Sequence, residues 1–109
     1  MTIIEFLEAR IAEDEALARQ EDEDYADTTL LPTYDSYHQY NWNTARVLAE
    51  CAAKRAIIEQ HRVAQWFSVP EGCVTCREHA VPVQFPCSTV RALASVYADH
   101  PDYQQEWAL

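Results

Sequence analysis

A single glycine, Gly72, serves a chain of 109 residues, and that scarcity constrains the fold more than any other feature. Tight β-turns draw on glycine because it takes positive φ without steric cost, so a β-rich fold with many hairpins is disfavoured. Alanine, glutamate, leucine and arginine are abundant instead, and these favour helix. Hydrophobic residues make up 49% of the chain, which excludes a disordered tail. A chain of this length folds as one small domain and buries roughly two-thirds of its unfolded surface. The expectation is a mainly α domain over residues 1–109, with three helices packed on one core.

The first helix opens at Thr2, with Glu5 three residues on completing a capping box. Ile4, Leu7, Ile11 and Ala18 form its apolar stripe, widened by Ile3 and Phe6, while Glu8 and Arg10 fall outside it. The acidic run Glu21–Asp24 sits where negative charge opposes the helix dipole, so the helix is expected to end near Gln20. Residues 25–43 read as an aromatic-rich connection carrying a short β-hairpin, with Pro32 breaking any helix and Thr28–Leu31 as a short strand.

The second helix spans about residues 44–62, with Asn43 as cap. Leu48, Cys51, Arg55 and Ile58 mark one side of it, and Val47 and Ile57 broaden that side. Cys51 reads as a small core residue there. Pro70, Pro82 and Pro86 make residues 63–87 an irregular loop, which Trp66 and Phe67 fasten to the core. Ser88 or Thr89 caps the third helix, Val90, Leu93, Ala94 and Tyr97 are its buried stripe, and Pro101 ends it. Residues from Asp102 to Gln105 start a last turn that folds Trp107 back.

Charge is unevenly spread. The net value is −10, and residues 1–27 hold ten acids against two bases. Such a chain is a poor candidate for gripping a phosphate backbone or an anionic membrane surface. The first residues have neither a basic leader nor a continuous apolar run, and no stretch approaches the ~18 apolar residues that cross a bilayer. A cytoplasmic location is the expectation, where clustered thiols bind metal more readily than they form disulfides.

Those thiols are the one chemical constellation. Cys73-x-x-Cys76 is the spacing of a zinc knuckle, with Gly72 before it to permit the turn, and Cys87 returns at the start of the third helix. There the helix dipole favours its thiolate. Zinc asks for a fourth ligand, and two histidines compete. His79 gives Cys-x2-Cys-x2-His-x7-Cys; His61, ending the second helix, gives His-x11-Cys-x2-Cys-x10-Cys. Ligation by His61 would tie helix two to helix three. Three thiolates and an imidazole leave the site at −1 with Zn2+, which Arg77 or Arg91 could offset.

The stretch TVRALASVYADHPDYQQEW, residues 89–107, resembles the C-terminal signature of a family of small proteins of unknown function found in actinobacteria and their phages. ARVLAECAAKRAIIEQH (45–61) is similar to that family's central helix and FLEARIAEDEALAR to its opening helix. The resemblance implies a small cytosolic protein of phage or prophage origin, without a known activity. It also favours His61, because a histidine recurs at the matching helix end ahead of a cysteine-containing stretch. His100 falls in the shared motif, where Pro101 places it in a turn and Asp99 can bond nearby backbone.

The expected metal ligands are therefore His61, Cys73, Cys76 and Cys87, holding structural Zn2+. The functional expectation is a zinc-stapled interaction module that binds another protein through its third helix and aromatic tail. An acidic nucleic-acid mimic that inhibits a host DNA-binding protein is the alternative. No catalytic role is expected: the chain has no His-x-Glu ahead of its cysteine pair, no glycine-rich phosphate loop and no Gly-x-Ser-x-Gly elbow.

Overall fold

The computed structural model describes residues 1–27, 44–66 and 69–109. Its elements are α1 (Ile3–Asp27), α2 (Thr44–Gln60), β1 (Val63–Ala64), β2 (Gly72–Glu78), β3 (Val81–Gln84), α3 (Ser88–Ser95) and a 3-10 turn, Gln105–Trp107. The hairpin expected between helices one and two falls on residues 28–43, outside those described.

The capping box of α1 is formed: the Thr2 amide donates to Glu5 Oε1 and the Glu5 amide to Thr2 Oγ1, both at 3.1 Å. Ile3, Phe6, Leu7, Ile11 and Ala18 are buried along one side of the helix. Two expectations are corrected. The helix runs to Asp27 rather than ending near Gln20, because each added residue gains a backbone hydrogen bond while charge against the dipole costs only a few tenths of a kcal/mol. Arg10 is buried, not outside the stripe. It stands one turn beyond Phe6, with its guanidinium 5.4 Å from that ring, 2.9 Å from Glu13 and bonded to the His100 imidazole.

The larger correction lies between α2 and α3. In place of an irregular zinc-knuckle loop, the chain forms a three-stranded antiparallel sheet in the order β1-β2-β3. The mainly α assignment thus gives way to three helices plus a sheet. The scarcity of glycine misled because the β2–β3 turn does without it: His79 and Ala80 take φ of 51° and 68°, the two positive values of a type I′ hairpin turn. Prolines did not forbid the sheet either. Pro82 lies in the edge strand β3, and Pro70 and Pro86 lie outside the strands. Gly72 is needed for room, since a Cβ on it would stand 2.5 Å from Trp66 Cδ1 and 3.0 Å from Pro82 Cβ.

α3 starts from Cys87, whose extended backbone makes it the N-cap in place of Ser88 or Thr89. The helix stops at Ser95, well short of Pro101, and the chain tightens into bonds three residues apart, such as Tyr97 to Ala94 at 2.9 Å. Trp107 does fold back, buried 5.1 Å from the Phe6 ring. One core cluster results, with Phe6, Leu7 and Ile11 of α1 against Cys51 and Ile58 of α2, Val90 and Ala94 of α3, and Trp107. Cys73 and Cys87 belong to it as well. Among the described residues no helix is long and apolar enough to cross a membrane.

Candidate metal centre

Four side chains from three parts of the fold converge beside that core. His61 follows the last turn of α2, its amide bonded to the Ile58 carbonyl at 3.0 Å. Cys73 and Cys76 come from β2 and Cys87 from the cap of α3. Residues three apart on a regular strand face opposite ways, so Cys73 and Cys76 can meet only if β2 is irregular. It is: the β2–β3 register shifts between Gly72 and Arg77, and the Cys76 amide turns back to Cys73 Sγ at 3.4 Å. The two sulfurs are thus brought to one side by an irregular strand and not by the knuckle loop that the spacing led us to expect. Thr75 bonds the Gln60 carbonyl and the Val74 amide bonds the Arg62 carbonyl at 3.0 Å. These two bonds hold the irregular strand against the end of α2.

His61 Nδ1 stands 3.5 Å from Cys73 Sγ, 3.4 Å from Cys76 Sγ and 3.6 Å from Cys87 Sγ. One ring nitrogen has one lone pair or one proton, so it cannot satisfy three thiols. Three near-equal distances fit a shared cation instead. With Zn–N of about 2.0 Å and Zn–S of about 2.3 Å, a tetrahedral ion sets nitrogen and sulfur about 3.5 Å apart. All four ligand atoms lie within 4.8 Å of one another, and these residues could hold a metal ion. Soft thiolates and an imidazole suit zinc, copper(I) or iron far better than magnesium or calcium.

The electrostatics favour stepwise loss of the thiol protons. Burial pushes the Cys73 thiol up, but the Cys76 and Thr75 amides and His61 more than reverse this and hold it at about 7. Burial and the hydrogen bonds and charges of its two sulfur neighbours push Cys76 up to about 12. A lone thiolate is thus stabilised by backbone amides, whereas three together repel unless a cation lies between them. Cys73 and Cys87 are fully buried and Cys76 and His61 half-buried, so the cluster meets solvent on the His61–Cys76 side.

The other candidates lie elsewhere. His79 occupies the exposed β2–β3 turn and is not in the cluster. Cys51 is buried on α2, with its thiol pushed up by burial and then by the charges of Asp14 and Glu15. The two arginines expected to offset the sulfur charge have other partners. Arg77 lies 4.4 Å over the Trp66 ring, and Arg91 donates to the Ala108 carbonyl at 3.1 Å. What sequence reasoning missed was Thr75, which pins the irregular strand to α2. Its only signal is a β-branched hydroxyl inside the Cys-x-x-Cys.

The chain belongs to a family of unknown function, DUF6221, whose model matches residues 1–109. A family of unknown function is what the resemblance implied, and the match covers the whole length. No curated protein and no solved structure matches the chain.

Proposed function

We propose that this member of a family without an assigned activity is a zinc-stapled protein-interaction module, with His61, Cys73, Cys76 and Cys87 as the ligands of one structural zinc ion. The observation that carries the reading is the placing of three sulfurs at 3.4–3.6 Å from a single imidazole nitrogen. Four protein ligands complete a tetrahedral shell and leave no position for substrate, so the role is structural and not enzymatic. The ion would join the end of α2, the middle of the sheet and the start of α3. A cytoplasmic setting, expected from the sequence itself, and a phage or prophage origin, which rests on the resemblance alone, complete the reading.

The aromatic tail, first expected to carry the interaction, is engaged with the core, so we place the interaction surface elsewhere. The rings of the C-terminal tail face inward: Tyr97, His100, Tyr103 and Trp107 all pack on Phe6 at centroid distances of 5.1–6.2 Å. Mimicry of nucleic acid is the weaker alternative. That idea rests on Glu13, Asp14, Glu15 and the run Glu21–Asp24. The first three are paired with Arg10, Tyr97 and Arg55, whereas a mimic needs carboxylates directed outward, and the side chains of residues 22–24 lie outside those described.

Elemental analysis of protein expressed in zinc-supplemented medium tests the proposal. One zinc per chain is expected, lost in His61→Ala and Cys73→Ser and retained in His79→Ala and Cys51→Ala. A His61→Ala chain that kept its full zinc while His79→Ala lost it would overturn the ligand assignment.

A further inference from the structure

A cleft of about 480 Å³ opens on the side of the molecule where the first two turns of α1 meet β1 and the segment before Cys87. Its apolar walls include Ile4, Val63, Phe85 and Trp107. Val63 is 44% exposed and Ile4 and Phe85 are half-buried, so these walls meet solvent. Around them stand the carboxylates of Glu5, Glu8 and Glu71 and one cation, Arg62. Glu5 accepts the Thr2 amide at 3.1 Å, and Arg62 lies 3.0 Å from Glu8 and 2.8 Å from Glu59, so carboxylates outnumber the cation around the cleft and the rim stays net acidic. An apolar floor under an acidic rim is complementary to a ligand with an apolar centre and positive flanks.

We infer that this cleft takes a basic peptide segment of a partner protein: an extended stretch with one bulky apolar side chain in the cleft and lysine or arginine on either side. The inference rests on the interaction-module reading and supplies its surface. The ligand shape follows from the wall, because β1 is an edge of the sheet and edge strands accept extended peptides. The cleft is also tied to the metal centre. Arg62 and Val63 directly follow His61, and Phe85 and Pro86 directly precede Cys87. Two parts of the lining are thus adjacent in sequence to two of the proposed metal ligands.

Panning the zinc-loaded full chain against a random peptide display library tests this, with zinc content measured on the bait beforehand. A parallel bait carries Val63→Lys and Glu71→Lys, two exposed positions where lysine reverses the rim charge without touching the core. The expected result is enrichment of sequences with a Trp, Phe, Leu or Ile flanked by Lys or Arg. Their recovery on the double variant should fall by about tenfold or more, with its zinc content and melting temperature unchanged. Lack of enrichment on a zinc-loaded bait, enrichment of acidic sequences, or equal recovery on the double variant overturns the inference. A dimer in sedimentation equilibrium that the same substitutions dissociate would put a second copy in the cleft and also overturn it. A bait that binds no zinc sinks the metal proposal instead, so the two failures are distinguishable.

Discussion

Ala80 holds a φ of 68° that costs an alanine about 1 kcal/mol and costs glycine almost nothing. Glycine is more flexible in the unfolded chain, which returns part of that gain. Ala80→Gly is therefore expected to stabilise the protein by about 0.5 kcal/mol, read as a raised urea midpoint with unchanged slope. A lower midpoint would mean that the turn is not of this kind. This pair is also where the sequence was least legible. Hairpin turns are recognised by the residue that makes them easy, and His79-Ala80 makes this one without it. The cysteines were more legible, since soft ligands at a knuckle spacing have few other uses in a reducing compartment. Even so, the four thiols had to be sorted by position, and the structure sorts them by environment. Cys51 is buried among apolar groups near two carboxylates, with its thiol raised, while burial of Cys73 is outweighed by backbone amides.

Between elements, polar links set the registry of α1 on its neighbours. Arg55 of α2 holds Glu15 at 2.6 Å, Arg62 holds Glu8 at 3.0 Å, and the Tyr97 hydroxyl donates to Asp14 at 2.8 Å. The hydrogen bond from Arg55 lowers the Glu15 carboxyl below its ordinary 4.5. A depressed carboxyl contributes stability that is fully present above its unfolded value and is lost as pH falls through its folded one. The difference in stability between wild type and Glu15→Gln should therefore be constant from pH 7 to about 5.5 and shrink below about 4.5. Urea melts across pH 3–7 would check this, and a difference that grew in acid would refute it. The pair is partly exposed, so its contribution is small. The helices were legible because their apolar spacing and the capping box are local signals. Arg10 was not, because a charged residue on an apolar face reads as an error until its partners are known. Those partners, His100 and Phe6, come from a segment ninety residues away and from the preceding turn. The sheet failed for a related reason: β1 is two residues long, and β2 carries a register shift that breaks the alternation by which strands are found.

At the scale of the whole molecule, the candidate metal centre and the core are one structure. Cys73 and Cys87 count both among the four convergent ligands and among the fully buried core residues, in contact with a cluster that runs through Phe6 and Val90 to Trp107. Structural zinc contributes roughly 10–16 kcal/mol of apparent binding free energy in small domains at neutral pH. A domain of this size is stable by only about 5–15 kcal/mol in total. Removing a zinc ion held as proposed would therefore remove a quantity comparable with all of the folding free energy, and among the described residues the buried core forms one cluster. Chelation at 25 °C is expected to shift Trp107 emission to the red, although Trp107 is not a ligand. The shift should run in step with the loss of circular dichroism and in one transition. Trp42 and Trp66 would be replaced by phenylalanine so that the emission reports one site. Re-addition of zinc should restore both signals. If the chelated chain keeps its melting curve, the ion is no staple. If ellipticity falls while Trp107 stays buried, the centre and the core are separate, and the clasp between α2 and α3 is a local feature of the sheet.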